Sequence, residues 1–203
     1  MRKTRKKIFK ESHYNSNDGM LTTVWGPGMW HYLHTMSFNY PVKPTCDEKR
    51  HYQSFVLNLQ YVLPCGKCRK NLVKNFKRLP LKWVDMQSRD TFSLYIYKLH
   101  ELINKMLHKT SGLSYQDVRE RYEHFRSRCV FETGKGEKGE KGKEKGKGKN
   151  KTLKNKTEEK GCTEPLYGEK SKCVLQIVPQ TKKCDTFQMD KKCMKRNLSE
   201  KNI

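Results

Sequence analysis

The fold is decided by residues 92–107, Phe92-Ser-Leu-Tyr-Ile-Tyr-Lys-Leu-His-Glu-Leu-Ile-Asn-Lys-Met-Leu107. Apolar side chains recur in this stretch at three- and four-residue steps, which is typical of one face of a helix of roughly five turns. The apolar positions are Phe92, Tyr95, Ile96, Leu99, Leu102, Ile103, Met106 and Leu107. They form the longest apolar stripe in the sequence, so we expect the principal helix of the fold here.

Two helical patterns precede this stretch. The first runs from about Trp25 and ends at Tyr40-Pro41, because the residue before a proline disfavours helix. The second begins at Thr45, where Glu48 three residues later completes a capping box. Its apolar stripe is formed by Tyr52, Phe55, Val56, Leu59 and Leu63. Pro64 then interrupts it.

Two shorter helices complete the predicted set. One begins near Cys65 and carries Leu72, Val73 and Phe76 on one face, and the other opens at Ser114 with Asp117 three residues on. No run shows sustained alternation of period two, so strands are not indicated. The sequence therefore predicts an all-α fold, a four-helix bundle plus a short fifth helix.

Composition predicts that only part of the chain is packed. Of 203 residues, 34% are hydrophobic and 32% are charged, and the mean hydropathy is -0.99, values on the disordered side of the globular average. We expect a basic flexible arm at 1–21, a folded domain at 22–131 and a Lys/Glu/Gly-rich linker at 132–161. A disordered, basic, cysteine-containing tail follows at 162–203.

The charge balance leaves several kinds of partner open. Lys and Arg number 44 against 21 acidic residues, which gives a net charge of +23. Nucleic acid, anionic membranes and acidic proteins all suit such a charge. No stretch approaches the roughly 18 consecutive apolar residues of a membrane-spanning helix, and the basic start does not lead into the apolar segment of a secretory signal. We expect a soluble, intracellular protein without a membrane span.

The sharpest chemical signal is Cys65-Gly66-Lys67-Cys68. Two intervening residues let the thiols close a small disulfide ring or share one metal ion. A structural zinc site needs a second cysteine pair at comparable spacing, and thioredoxin-type chemistry expects a βαβ context; neither is evident. A third interpretation is a redox pair at a helix N-terminus, where free N–H groups and the helix dipole lower the cysteine pKa.

Three motifs together resemble the Erv/ALR family of FAD-linked sulfhydryl oxidases. The run from Trp25 to Thr35, followed by Tyr40-Pro41, is similar to the opening motif of that family. Residues 61–68, Tyr-Val-Leu-Pro-Cys-Gly-Lys-Cys, resemble its redox motif, and residues 99–109 its flavin-binding helix. The motifs occur in the family's order, and the resemblance covers roughly residues 22 to 128.

The resemblance implies an FAD cofactor held inside the bundle. The positions that would bind it are Gly26, Trp30, His34, Leu63, His100, Asn104, Lys109, Arg121 and Tyr122. Arg121-Tyr122 matches the family's closing Arg-Trp pair, with tyrosine replacing tryptophan. Glu101 stands where the family usually has asparagine, and the family's additional structural disulfide has no counterpart. No metal site is expected.

The resemblance also implies a catalytic cycle and its partners. A reduced protein thiol meets Cys65, Cys68 lies beside the flavin, and electrons pass to molecular oxygen with formation of hydrogen peroxide. The family implies a homodimer, and a shuttle disulfide on a flexible arm; the candidates for the shuttle are Cys162, Cys173, Cys184 and Cys193. A short oxidase domain with a lysine-rich tail also resembles versions carried by large cytoplasmic DNA viruses, which implies a host cytoplasm or virion location.

A non-enzymatic alternative stays open at this point. The chain could be a basic binding module for nucleic acid in which the cysteines are structural or bind zinc. Nucleic acid remains a possible partner under either interpretation, although the redox chemistry does not require it. The two interpretations predict different colours for the purified protein, because only the oxidase would carry a yellow flavin.

Overall fold

The computed structural model describes residues 9–130, 161–185 and 187–195. The chain divides after Tyr122 into two compact units. We call the part up to Tyr122 the helical unit and the part from Glu123 onwards the C-terminal unit. The predicted linker lies outside the described residues except for its last position, 161, and so do the first eight residues of the predicted arm.

Helices build the first unit, which confirms the predicted fold class. They are α1 (Glu11–Tyr14), α2 (Thr22–Phe38), α3 (Cys46–Val62), α4 (Gly66–Arg78), α5 (Arg89–Met106) and α6 (Tyr115–Glu123), with a 3₁₀ turn at Trp83–Met86. The single turn of α1 was not predicted, and α2 begins three residues before Trp25. Within the described residues, no helix combines the length and apolar character needed to cross a membrane.

Side-chain caps define where most of these helices begin. The predicted capping box is present at α3, where Thr45 Oγ1 accepts from the N–H of Glu48 and the Glu48 carboxylate accepts from the N–H of Thr45. Ser114 and Asp117 pair in the same way before α6. Each such cap satisfies N–H groups that have no partner inside the helix. α5 begins after Ser88, a cap that the sequence reasoning did not identify.

The core lies where α5 meets the other helices. Tyr40, two residues after the end of α2, is fully buried against Phe92, and its hydroxyl donates to the carbonyl oxygen of Met86 at 2.9 Å. The buried hydrophobic cluster contains Leu33, Tyr40, Val56, Leu59, Leu72, Phe76, Leu81, Met86, Phe92, Tyr95, Ile96 and Leu99. Phe55 was expected in the core, but it is 39% exposed. Four of the eight residues of the α5 stripe are buried, three are half-buried, and Leu107 at its end is 48% exposed, contrary to the prediction. The buried half makes α5 the central helix of the unit.

The C-terminal unit contains a strand pair that the sequence analysis missed. β1 (Ser127–Val130) pairs antiparallel with β2 (Gly161–Pro165), in a register that sets Ser127 opposite Pro165. A short 3₁₀ turn follows at Lys191–Cys193. Strands of four and five residues show no measurable alternation, and their partner residues are more than thirty positions apart. The described part of the tail, which was expected to be disordered, therefore contains most of a β-strand and a 3₁₀ turn.

Candidate redox site

Cys65 and Cys68 form a disulfide at the start of α4. The chain leaves α3 at Val62, passes Pro64 and re-enters a helix at Gly66. Cys65 is the N-cap residue of α4, and its Sγ accepts a hydrogen bond of 3.2 Å from the N–H of Cys68. Both cysteines are half-buried. The pair is thus accessible to a thiol, and one of its sulfurs already faces a helix N–H group, as the sequence predicted.

The segment before α2 lies across this disulfide. The N–H of Met20 donates to the carbonyl oxygen of Pro64 at 2.8 Å, and Oγ1 of Thr22 lies 3.6 Å from Sγ of Cys68. Gly19 is so close that an added Cβ would lie 2.9 Å from the Pro64 oxygen and 3.1 Å from Cα of Cys65. The last residues of the predicted flexible arm therefore contact the redox pair, which the sequence did not indicate.

A cluster of rings lies between α2, α5 and α6. Trp30 and His100 stack with centroids 3.9 Å apart, and His34 Nε2 lies 3.0 Å from His100 Nδ1. The ring of Tyr122 lies 5.3 Å from that of His34, and its hydroxyl lies 3.3 Å from His31 Nδ1. We call Trp30, His31, His34, His100 and Tyr122 the ring cluster. Four of these five residues were predicted to bind the cofactor.

Burial keeps the two central histidines neutral. His34 is 4% exposed, and its pKa falls from 6.5 to about 3 because of burial, with a further contribution from His100 and His31. Burial also lowers the pKa of His100 to about 4, although Glu101 opposes that change. Among the described residues, Nδ1 of His34 is a buried side-chain nitrogen without a hydrogen-bond partner. The cluster therefore offers one unsatisfied polar atom beside several flat rings.

A basic groove of about 620 Å³ lies beside the end of α5. Its lining includes Arg78, Lys98, Glu101, Lys105 and Lys109. Four cations against one carboxylate give the groove a positive charge that suits an anionic group. Lys109 was predicted to bind the cofactor, and the structure places three further cationic side chains in the lining of the same groove. The spacing of Lys98, Glu101 and Lys105 along α5 places them on one face, a signal that the sequence analysis did not use.

The other predicted cofactor residues lie around these features. Gly26 is buried in α2, one turn after Thr22. Leu63 packs against the core, and its carbonyl oxygen accepts from the N–H of Cys65 at 2.8 Å. Asn104 donates to the Glu101 carboxylate at 3.0 Å. Arg121 is exposed next to Tyr122, so the structure does not show it as part of the ring cluster.

The remaining cysteines differ from the pair. Cys46, Cys173 and Cys184 are exposed free thiols, Cys193 is a half-buried free thiol, and Cys162 takes part in a disulfide. The shuttle role of the tail cysteines stays a prediction. In the part of the chain that the structure describes, no three His, Cys, Asp or Glu side chains are grouped so that they could hold a metal ion.

The chain matches known proteins over its helical part. Residues 27–123 match the Erv1/Alr family. The chain is 34% identical over 80 residues to a probable FAD-linked sulfhydryl oxidase of Acanthamoeba polyphaga mimivirus, covering 39% of this chain and 56% of that protein. It is 29% identical over 84 residues to the FAD-linked sulfhydryl oxidase ERV2 of Saccharomyces cerevisiae, covering 41% of each chain. The chain thus spans about half the length of these two relatives.

A further viral relative and a solved structure each match about half or more of this chain. The FAD-linked sulfhydryl oxidase of African swine fever virus is 26% identical over 99 residues, covering 49% of this chain and 80% of that protein. The crystal structure of the yeast Erv1 core aligns with a TM-score of 0.47 at 21% identity, covering 61% of this chain and 95% of that one. The arrangement of helices given above rests on the present structure alone. The comparisons do not support the alternative of a non-enzymatic binding module.

Proposed function

Residues 27–123 belong to the Erv1/Alr family, and on that premise we propose that the chain is an FAD-dependent sulfhydryl oxidase. It oxidises pairs of thiols in reduced proteins to disulfides and transfers the electrons to molecular oxygen, which yields hydrogen peroxide. The observation that carries this proposal is the half-buried disulfide between Cys65 and Cys68 at the start of α4. A disulfide in that position is open to exchange with an incoming thiolate.

The residues of the ring cluster and the basic groove fit FAD. A flat aromatic cofactor suits the rings of Trp30, His100 and Tyr122, and the unpartnered Nδ1 of His34 supplies a polar contact within the same cluster. The groove with Lys109 suits the diphosphate of a dinucleotide because it is positively charged. Gly26, Leu63, Asn104 and Arg121 are the other proposed contacts. When bound, FAD supplies the two-electron acceptor that hands electrons on to oxygen.

The chemistry of the protein's own sulfurs is thiol–disulfide exchange. A substrate thiolate attacks Sγ of Cys65, a mixed disulfide forms, and the Cys65–Cys68 bond breaks with its electron pair on Cys68. A second substrate thiolate then attacks the substrate sulfur of the mixed disulfide and releases Cys65 as a thiolate. The substrate has lost two electrons and two protons, and the cysteine pair has gained two electrons. The N–H of Cys68, which donates to Sγ of Cys65, stabilises the negative charge that Cys65 then carries.

The absorption spectrum of the purified full-length protein tests the proposal. We expect the visible bands of bound flavin, their loss on anaerobic addition of dithiothreitol, and their return when oxygen is admitted. Oxygen consumption should match peroxide formation and disulfide formation one to one. A colourless protein that takes up no FAD on reconstitution would contradict the assignment. A yellow protein whose flavin is not bleached by dithiols would contradict the oxidase activity alone.

A homodimer is the proposed assembly. Tyr32 of α2 and Phe55 of α3 meet edge to face at 6.0 Å, and they are 53% and 39% exposed. Exposed aromatic residues in contact with one another form an apolar surface that a second copy can cover. Tyr32→Glu should shift the mass measured by light scattering from dimer to monomer. Tyr14→Glu, at a 90% exposed position in α1, is the matched control.

The proposed location follows from the viral relatives. Two of the relatives are proteins of viruses, a mimivirus and African swine fever virus, which supports a role in the host cytoplasm or in the virion. Immunoblots of fractionated infected cells and of purified particles would distinguish these locations. Detection only in a membrane-enclosed compartment of the cell would contradict both.

A further inference from the structure

The hydroxyl group of Thr22 is the second polar contact of the cysteine pair. Sγ of Cys65 faces the N–H of Cys68, whereas Sγ of Cys68 faces Oγ1 of Thr22 at 3.6 Å. A sulfur in a disulfide carries no proton, so the hydroxyl of Thr22 must be the donor in this contact. Each sulfur of the pair is therefore next to a different hydrogen-bond donor.

The segment that carries Thr22 is held in place at several points. The N–H of Met20 donates to Pro64, and the carbonyl oxygen of Met20 accepts from Nε1 of Trp25 at 3.1 Å. Gly19 packs so closely on Pro64 and Cys65 that a larger residue would displace the segment. These contacts fix the approach of α2 to α4, so the backbone holds Thr22 beside Cys68 although the residue is exposed.

The hydroxyl of Thr22 lies beside the sulfur that leaves during thiol–disulfide exchange. When a substrate thiolate attacks Cys65, the electron pair of the broken bond goes to Cys68, which leaves as a thiolate. Hydrogen bonds to a charged group favour the charged form, and they are stronger than those between neutral groups. A donor at Cys68 therefore acts at the moment when this sulfur becomes negative.

We propose that Thr22 is a positioning residue that stabilises the thiolate of Cys68 during thiol–disulfide exchange. The proposal rests on the proposed oxidase function for its role in turnover, but the contact itself can be tested without turnover. The hydroxyl assists departure of Cys68 from Cys65, and it keeps the released sulfur ionised until the pair is oxidised again. The matched part of the chain begins at residue 27, so Thr22 lies outside it.

The first experiment measures how readily Cys68 ionises. In full-length protein carrying Cys65→Ser, the rate of iodoacetamide reaction at Cys68 is followed against pH by mass spectrometry of the peptide. The serine leaves one thiol at the site, which avoids coupled titration of the pair. Thr22→Val keeps the shape of the side chain and removes the hydroxyl. It should shift the midpoint of the profile upwards by about half to one pH unit, equal to about three- to tenfold less thiolate below the midpoint.

Three further variants make the result specific to the hydroxyl of Thr22. Thr22→Ser restores a hydroxyl and should return the midpoint to that of the parent protein, and Thr23→Val, at the exposed neighbouring position, should leave it unchanged. Gly19→Ala should shift the midpoint upwards as Thr22→Val does, since it pushes the segment away from Cys65. An unchanged midpoint in Thr22→Val would overturn the proposal, as would an equal shift in Thr23→Val.

The second experiment measures turnover with the cysteine pair intact. Oxygen consumption with dithiothreitol should fall about three- to tenfold in Thr22→Val and should recover in Thr22→Ser. If the parent protein neither binds flavin nor consumes oxygen, the oxidase function fails while the alkylation profile still decides the contact of Thr22. If turnover is normal in Thr22→Val while the parent protein is active, the proposed role in exchange is wrong although the oxidase function stands.

Discussion

The helical unit and the C-terminal unit hold their cysteines in different surroundings. In the helical unit, Cys65 and Cys68 are bonded to each other at a helix start, and each sulfur lies near a polar group. In the C-terminal unit, Cys173 and Cys184 are exposed thiols in irregular backbone. Of the described residues, no buried hydrophobic lies beyond Val118. The proposed redox pair therefore differs from these tail cysteines in its surroundings.

The largest effect is expected from the cysteine pair itself. Cys65→Ser and Cys68→Ser should each reduce dithiol-dependent oxygen consumption to background, because exchange needs both sulfurs. Helical content in circular dichroism and bound flavin should stay near those of the parent protein. Cys46→Ser, at an exposed free thiol outside the site, is the control and should retain full activity. Full activity in either variant would show that the Cys65–Cys68 pair does not carry the activity, and the proposed functional difference between the two units would be wrong.

The ring cluster should control cofactor affinity more than folding. His34→Phe costs little stability at Nδ1, which is buried without a partner among the described residues, and loses one contact at Nε2, which lies 3.0 Å from His100 Nδ1. The same change removes the proposed contact to FAD. We expect the dissociation constant for FAD to rise about tenfold, which corresponds to about 1.4 kcal/mol. Equilibrium dialysis against FAD measures it, and His51→Phe, at an exposed position of α3, is the control. Equal affinity in both variants would contradict a cofactor role for His34.

Acid should destabilise the flavin-free helical unit through the same histidines. The pKa values of His34 and His100 are lowered from 6.5 to about 3 and about 4. The unfolded chain therefore binds protons below about pH 6.5 while the folded chain does not, so stability is lost as the pH falls from there towards 4. Each histidine contributes at most about 1.4 kcal/mol per pH unit.

Chemical denaturation of flavin-free protein at several pH values between about 7.5 and 5 would measure this loss. Stability should be constant in the upper part of that range and should fall in the lower part. Replacing both histidines by phenylalanine should flatten the fall. A decline of the same size in the double variant would place the proton-linked stability elsewhere in the molecule.

The smallest effect is expected from the tail cysteines. Joint replacement of Cys173, Cys184 and Cys193 by serine leaves β2 and Cys162 unchanged. Oxidation of dithiothreitol should be unaffected, because a small dithiol reaches Cys65 directly. Oxidation of an unfolded reduced protein should slow by a few fold if these thiols relay electrons from the substrate to Cys65. Equal rates on both substrates would leave the C-terminal unit without a redox role.

The parts of the structure that could be predicted are those encoded over short distances. The capping box of Thr45 and Glu48 lies within four residues, and so does the cysteine pair. Both are present as expected. The apolar stripe of α5 is equally local, because its period alone defines a buried face. The start of α3 and the motif that begins α4 followed from such patterns, whereas the starts of α2 and α5 did not.

Other features depend on residues that are far apart in the chain. Thr22 and Cys68 are 46 positions apart, and His34 and His100 are 66 apart. No local pattern indicates such contacts, and the roles of His34 and His100 were predicted only through the family resemblance. The pairing of β1 with β2 was missed for the same reason. Phe55 followed its stripe yet is exposed, because a helical period cannot show which neighbours cover a given position.

The close packing of Gly19 on Pro64 bears on where the working domain begins. The family match starts at residue 27, and every buried hydrophobic residue of the described chain lies after it. A protein trimmed to that boundary would retain its core and fold as a helical unit. It would lose Met20 and Thr22, and with them the cover over the Cys65–Cys68 disulfide. The segment that suffices for folding therefore begins at about residue 27, whereas the segment that supports the redox chemistry also includes the residues from Gly19 to Thr22.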